Sequence, residues 1–144
     1  MLPSFMDNGC LPPGVHTASW EEVAKRFGGS AHRDRLLEGL LQAATNLRSA
    51  GARVIWLDGS FTTDKEEPGD WDGVWDPRNT DLSKVDPVLI DLNDLRTGRF
   101  RQKAKYSGEL LISDPNAQPF QMFFQLDKNG DPKGIVRLDL RTLP

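Results

Sequence analysis

The stretch Arg53-Val54-Ile55-Trp56-Leu57-Asp58-Gly59-Ser60-Phe61 decides the fold. Residues 53–57 are too few for a helix, rich in β-branched and aromatic side chains, and apolar almost without a break, the pattern of a central strand covered on both faces. The strand runs straight into Gly59-Ser60, a turn where a backbone without a Cβ can approach a ligand closely. After a charged loop ending in Pro68-Gly69, the run Asp70-Trp71-Asp72-Gly73-Val74-Trp75 reads as a second strand. Its period of two puts Asp70, Asp72 and Val74 on one face and Trp71, Gly73 and Trp75 on the other.

Two carboxylates on one strand face lie roughly 6–7 Å apart at their Cα atoms, near enough to share a metal site. Phosphoryl and nucleotidyl transfer ask for magnesium, geometry and charge neutralisation more than for covalent help. Magnesium prefers hard oxygen ligands and takes one or two carboxylates beside the phosphates of its substrate, a role that Asp70 and Asp72 suit. Gly59 lets the backbone near a phosphate, and Ser60 offers an N–H and a hydroxyl. Lys65, or the basic stretch from Arg96 to Lys105, is available to neutralise the remaining charge.

Working outward, the prolines and glycines of residues 1–14 predict an extended arm with a mobile tip. Ser19-Trp20-Glu21-Glu22 has the capping-box pattern and predicts a helix over 20–27, with Trp20, Val23 and Phe27 facing the core. Ser30 caps a longer helix to about Ser49; its apolar stripe is Leu36, Leu37, Leu40, Leu41, Ala44 and Leu47, and Arg33, Arg35, Glu38 and Gln42 lie mostly away from it. Beyond the second strand, Pro87-Val88-Leu89-Ile90-Asp91-Leu92 reads as a short strand, Asn93 to Tyr106 as a basic amphipathic helix and Glu109-Leu110-Leu111-Ile112 as another strand. Phe120 to Leu126 and Ile135 to Leu140 flank Asn129-Gly130, a turn signal, and predict a hairpin closing the sheet edge. The expected architecture is an α/β (α+β) domain over residues 15–144, with a mixed sheet, two N-terminal helices and a C-terminal hairpin, preceded by the arm.

The composition narrows the function. A chain of 144 residues with 38% hydrophobic and 27% charged side chains fits one soluble domain. A net charge of -3 argues against a nucleic-acid binder that depends on bulk electrostatics. A single cysteine, Cys10, cannot form an internal disulfide, and a reducing cytoplasm is the expected setting. The first residues lack a signal-peptide pattern, and no apolar run nears the ~20 residues of a membrane-spanning helix. His16 and His32 stand far apart without cysteine companions, so no zinc site is expected.

An apolar strand, then Gly59-Ser60, roughly ten residues, then Asp70-x-Asp72 resembles the signature of the polymerase-beta-type minimal nucleotidyltransferase superfamily. The run from Leu57 to Asp76, with Leu11-Pro12-Pro13-Gly14-Val15-His16 before it and Phe123-Phe124-Gln125 and Lys133-Gly134-Ile135-Val136 after it, also resembles an uncharacterised bacterial family of nucleotidyltransferase-like domains. The resemblance implies a mixed sheet with helices on one side, Gly59-Ser60 on the β- and γ-phosphates, and Asp70 and Asp72 on magnesium. It also implies a third carboxylate, for which Asp91 has the apolar-acid-apolar form and Glu109 is the rival.

Minimal members of that superfamily often act as antitoxins that transfer AMP to a helical ribonuclease toxin of the HEPN class, and others are toxins that modify transfer RNA. The expected function is therefore transfer of AMP from ATP to a protein hydroxyl, with Mg2+ as cofactor and a cognate toxin as partner. The competing readings are a decayed fold that neutralises a toxin or binds RNA without catalysis, and a toxin acting on tRNA, which needs the basic stretch near the acids.

Overall fold

Both N-terminal helices begin where a serine caps them. In the computed structural model, which describes residues 1–90, 95–113, 130 and 133–144, the Ser19 hydroxyl accepts from the Glu22 N–H at 3.2 Å at the head of α1 (Trp20–Phe27). The Ser30 hydroxyl accepts from the Arg33 N–H at 3.1 Å at the head of α2 (Ala31–Ser49). Each hydroxyl satisfies a donor that the first helical turn leaves without a partner. Leu36, Leu37, Leu40, Ala43, Ala44 and Leu47 of α2 are buried, and each large aliphatic side chain so buried stabilises the fold by roughly 1.5–3 kcal/mol.

The strands are β1 (Gly14–Ala18), β2 (Val54–Asp58), β3 (Trp71–Trp75), β4 (Gly108–Ile112) and β5 (Gly134–Asp139). They form one mixed sheet in the order β1-β5-β2-β3-β4. β1 is parallel to β5 and β3 to β4, while β2 runs antiparallel to both its neighbours. A third helix, α3 (Leu95–Tyr106), leads into β4, and the buried Gln102 side chain ties the two together by accepting from the Leu110 N–H at 2.7 Å. Ile55, Leu57, Trp71, Trp75, Leu110, Val136 and Leu138 join Val23, Phe27, Leu40, Leu47 and Tyr106 of the helices in one core. The period of two therefore turns Trp56, Asp58, Asp72, Val74, Glu109 and Leu111 to the opposite face. Among the described residues no helix is long and apolar enough to cross a membrane.

Several expectations need correction. Pro87–Leu89 is a 3-10 turn, not a strand: the Asp86 carboxylate accepts from the Val88 N–H and Pro87 sits at the first helical position, where its fixed φ favours a turn and its missing N–H costs nothing. Residues 91–94, including Asp91, lie outside the described residues, as does the strand expected over 120–126. The run 135–140 supplies no edge: β5 lies inside the sheet between β1 and β2. The edge on that side is β1, which the sequence reading passed over. Asp70 precedes β3 and does not belong to it. The arm is seated from Leu2 onward, with Leu2 and Leu11 buried and Phe5 packed on Phe27 at 6.2 Å between ring centroids. Arg26 donates to the carbonyls of Leu2 and Pro3 and holds it there. Arg33, expected near the surface, is 7% exposed.

Candidate active site

β2 ends on Asp58, and the strand register decides what stands beside it. Asp58 pairs across with Asp72, and Asp72 with Glu109, so three carboxylates form a row over three adjacent strands on the face turned from the helical core. Like charges in directly opposed cross-strand positions repel. The Asp72 carboxyl accordingly holds its proton far above the usual carboxylate range, pushed up to about 7 by burial and then by the charges of Asp70, Glu109 and Asp58, with Lys103 opposing them. Burial also raises Asp58, against the pull of Lys133.

Two ammonium groups bracket the row. Lys133, just ahead of β5, reaches Asp58 at 2.7 Å in a pair whose side chains are only 13% and 9% exposed. Lys103 of α3 reaches Asp70 at 3.1 Å, and that hydrogen bond holds its proton more firmly than usual. A small cavity of about 90 Å³ is lined by Asp58, Asp72, Gly73, Val74, Glu109 and Leu111. A wider open groove of about 500 Å³, lined by His32, Arg35, Asp70, Lys103 and Ser107 among others, adjoins the acids through Asp70.

Gly59 connects this row to the turn that follows β2. Its φ is +78°, and a Cβ built there would lie 2.4 Å from Asp72 Oδ2. Both facts require glycine: the left-handed conformation strains a residue with a Cβ, and the approach leaves no room for one. Ser60 opens the 3-10 turn Ser60–Thr62, and its carbonyl accepts from the Thr63 N–H at 3.2 Å.

The structure thus brings together Gly59, Asp70 and Asp72 of the residues predicted from sequence, with Ser60 next to them in the chain. It adds Glu109, the rival for the third carboxylate, directly across from Asp72, whereas Asp91 is outside the described residues. Lys65 is exposed, and its ammonium makes no ion pair among the described residues; its carbonyl is held by Arg33. Of the basic stretch, Lys103 faces the acids while Lys105 pairs with Asp86. Sequence reasoning missed Asp58 and Lys133 as members of the site. Strand parity alone places Asp58 with Trp56, away from the core; nothing local marks Lys133, because its contact depends on β5 lying beside β2.

The donor set suits magnesium in kind. It is carboxylate oxygen throughout, the ligand type of a hard cation, and Asp72, raised first by burial and then by Asp70, Glu109 and Asp58, is a carboxyl that a cation would help to ionise. Among the described residues, no three His, Cys, Asp or Glu side chains stand as a group that could hold a metal ion; Asp58 and Asp70 are each engaged by a lysine.

No solved structure matches the chain. A dITP/XTP pyrophosphatase of Rhodopseudomonas palustris (strain ATCC BAA-98 / CGA009) is 33% identical over 108 residues, covering 67% of this chain and 51% of that protein. The chain therefore spans about half the length of this curated relative. Residues 3–139 match the family described as "Family of unknown function (DUF6932)", and the chain belongs to that family.

Proposed function

We propose that the chain is a magnesium-dependent nucleotidyltransferase that directs an acceptor hydroxyl onto the α-phosphorus of a nucleoside triphosphate, with pyrophosphate leaving. The observation that carries this reading is the row Asp58-Asp72-Glu109 packed against Gly59, with Asp70 and two lysines at its ends. Asp70 and Asp72 would hold Mg2+, with Asp70 exchanging Lys103 for it, and Glu109 is the third carboxylate. When bound, the cation supplies charge neutralisation and orientation of the triphosphate. Lys103, from the basic stretch expected for this role beside Lys65, and Lys133 would take up phosphate charge. Glu109 accepts the proton of the attacking hydroxyl as the new oxygen–phosphorus bond forms and the bond to the pyrophosphate oxygen breaks.

The finer reading is transfer of AMP from ATP to a hydroxyl of a cognate toxin in the cytoplasm. It rests on the resemblance of the Gly-Ser and Asp-x-Asp run to minimal nucleotidyltransferases. A second reading has water as the acceptor, giving nucleoside monophosphate and pyrophosphate; the partial similarity to a protein named for pyrophosphatase action on dITP and XTP favours it. Both share the same bond cleavage and the same acids.

Incubation with α-labelled triphosphates and MgCl2 separates them: label on protein supports transfer, and free labelled monophosphate supports hydrolysis. Asp70→Ala with Asp72→Ala abolishes magnesium-dependent ATP binding. Glu109→Gln retains binding and loses about 10²–10⁴-fold in rate, the usual contribution of a positioned acid or base. A wild-type protein that binds no nucleotide with magnesium and releases no pyrophosphate sinks the assignment. Toxin neutralisation that survives loss of both aspartates would support a decayed fold acting by contact alone.

A further inference from the structure

Arg33 is a charged side chain in the core that makes no ion pair with a carboxylate among the described residues. Its guanidinium spends its donors on four main-chain carbonyls. Nη1 donates to Phe27 at 3.0 Å and Phe61 at 2.9 Å, Nη2 to Thr63 at 2.8 Å and Lys65 at 2.5 Å, and Nε to Lys65 at 3.2 Å. The group also lies 5.5 Å from the centroid of the Phe61 ring. Three of the four carbonyls belong to the loop that follows Gly59-Ser60, and the fourth ends α1.

The same loop is tied at other points. The Thr62 and Thr63 hydroxyls return to the Gly59 and Ser60 carbonyls at 3.1 and 2.6 Å, and His32, the neighbour of Arg33, contacts the Pro68 carbonyl. The first turn of α2 therefore fixes the far side of the loop whose near side is Gly59-Ser60. Burying a guanidinium is expensive unless its donors are filled, and here backbone oxygens fill them. A planar fork of five N–H groups can meet four separated carbonyls, whereas an ammonium has three donors at one point.

We infer that Arg33 is a positioning residue that holds the Gly59–Ser60 turn in its phosphate-receiving geometry. The inference rests on the nucleotide reading of the site. Because Arg33 acts on the loop and not on β3, its loss weakens the hold on the triphosphate while the carboxylate row stays in place. A generally destabilising change would weaken both or neither.

The test uses the full chain with Arg33→Lys, which keeps the charge and loses the fork, and Arg33→Met, which loses both. Binding is followed for Mg·ATP and, separately, for Mn2+ alone by its paramagnetic signal. Arg33→Lys is expected to weaken Mg·ATP at least 10-fold with Mn2+ affinity within about 2-fold of wild type, and Arg33→Met to behave alike. Amide hydrogen exchange supplies the second readout: residues 60–65 exchange faster in Arg33→Lys, while α2 and β2 keep their protection. Wild-type-like exchange over 60–65 in Arg33→Lys overturns the positioning role whether or not nucleotide binds. Full Mg·ATP affinity in Arg33→Lys with a loss in Arg33→Met overturns it in favour of charge alone. A wild-type chain that binds no nucleotide, with 60–65 loosened in Arg33→Lys, fails the nucleotide reading and leaves Arg33 as the loop's anchor.

Discussion

Asp72→Asn is expected to raise the thermal midpoint of the metal-free protein at pH 8 and, on the nucleotidyltransferase reading proposed above, to abolish magnesium-dependent nucleotide binding. Burial, and then the charges of Asp70, Glu109 and Asp58, push the Asp72 carboxyl up to about 7 from an ordinary 3.8. Below the lower value the carboxyl is protonated in both folded and unfolded chains and stability is unaffected. Between about 4 and 7 the unfolded chain gives up the proton while the folded one keeps it, so stability falls as pH rises, and above about 7 the full penalty persists. The difference between those two values corresponds to a ceiling of about 4 kcal/mol. With half of that realised, the neutral amide gains about 2 kcal/mol at pH 8, or about 6 °C for a chain of this size. At pH 4 the advantage vanishes. Thermal unfolding in EDTA at the two pH values is the check: equal midpoints at pH 8, or the same gain at pH 4, would refute the penalty that burial and the neighbouring acids place on the Asp72 carboxylate. Saturating Mg2+ should raise the wild-type midpoint and leave the variant where it was, since a ligand stabilises only the state that binds it.

The parts of this site that could be read from the chain are those encoded locally. The alternation of Trp71, Gly73 and Trp75 against Asp72 and Val74 identifies both the core face of β3 and its open face. The apolar run of β2 identifies an interior strand, though only Ile55 and Leu57 enter the core while Val54 and Trp56 on the other face are half-buried, so the expected cover on both faces is not what the sheet provides. Ser19 and Ser30 mark two helix starts because a cap acts within three residues. What could not be read depends on which strands become neighbours. Asp58, Asp72 and Glu109 come from three separate stretches, and only the pairings of β2 with β3 and of β3 with β4 align them. Lys133 joins Asp58 only because β5 lies beside β2. Ile135, Val136 and Leu138 are almost wholly buried, the burial of an interior strand, yet the Asn129-Gly130 turn signal suggests an edge hairpin instead. Arg33 was misleading for another reason: a helical wheel treats an arginine as surface, and carbonyls arriving from a distant loop are invisible to it.

Gly39→Ala is expected to destabilise the protein by about 3 kcal/mol, although helix propensity alone predicts a gain near 1 kcal/mol for alanine within a helix such as α2. The reason is the close approach of α3. A Cβ on Gly39 would lie 1.9 Å from the Tyr106 carbonyl oxygen and 2.5 Å from its carbon. Those are main-chain atoms at the end of a helix and cannot rotate aside. The same carbonyl accepts the buried Trp71 indole N–H at 2.8 Å, and the chain turns there through Ser107 at φ 63°. It then enters Gly108, where a Cβ would meet the Trp71 ring at 2.2 Å. Helix α2, the end of α3, Trp71 and the start of β4 are thus stacked without slack. Overpacking costs about 1–3 kcal/mol, and disturbing the Trp71 hydrogen bond a further 1–3 kcal/mol or so; together they outweigh the propensity gain. Urea unfolding measures the balance, with Gln42→Ala on the same helix as a control expected within about 0.5 kcal/mol of wild type. A Gly39→Ala protein as stable as wild type would show that α3 can retreat without cost. If it retreats, Lys103 on α3 and Glu109 on β4 move with it, so any nucleotide affinity of the proposed site, measured well below the melting transition, should fall even where stability does not.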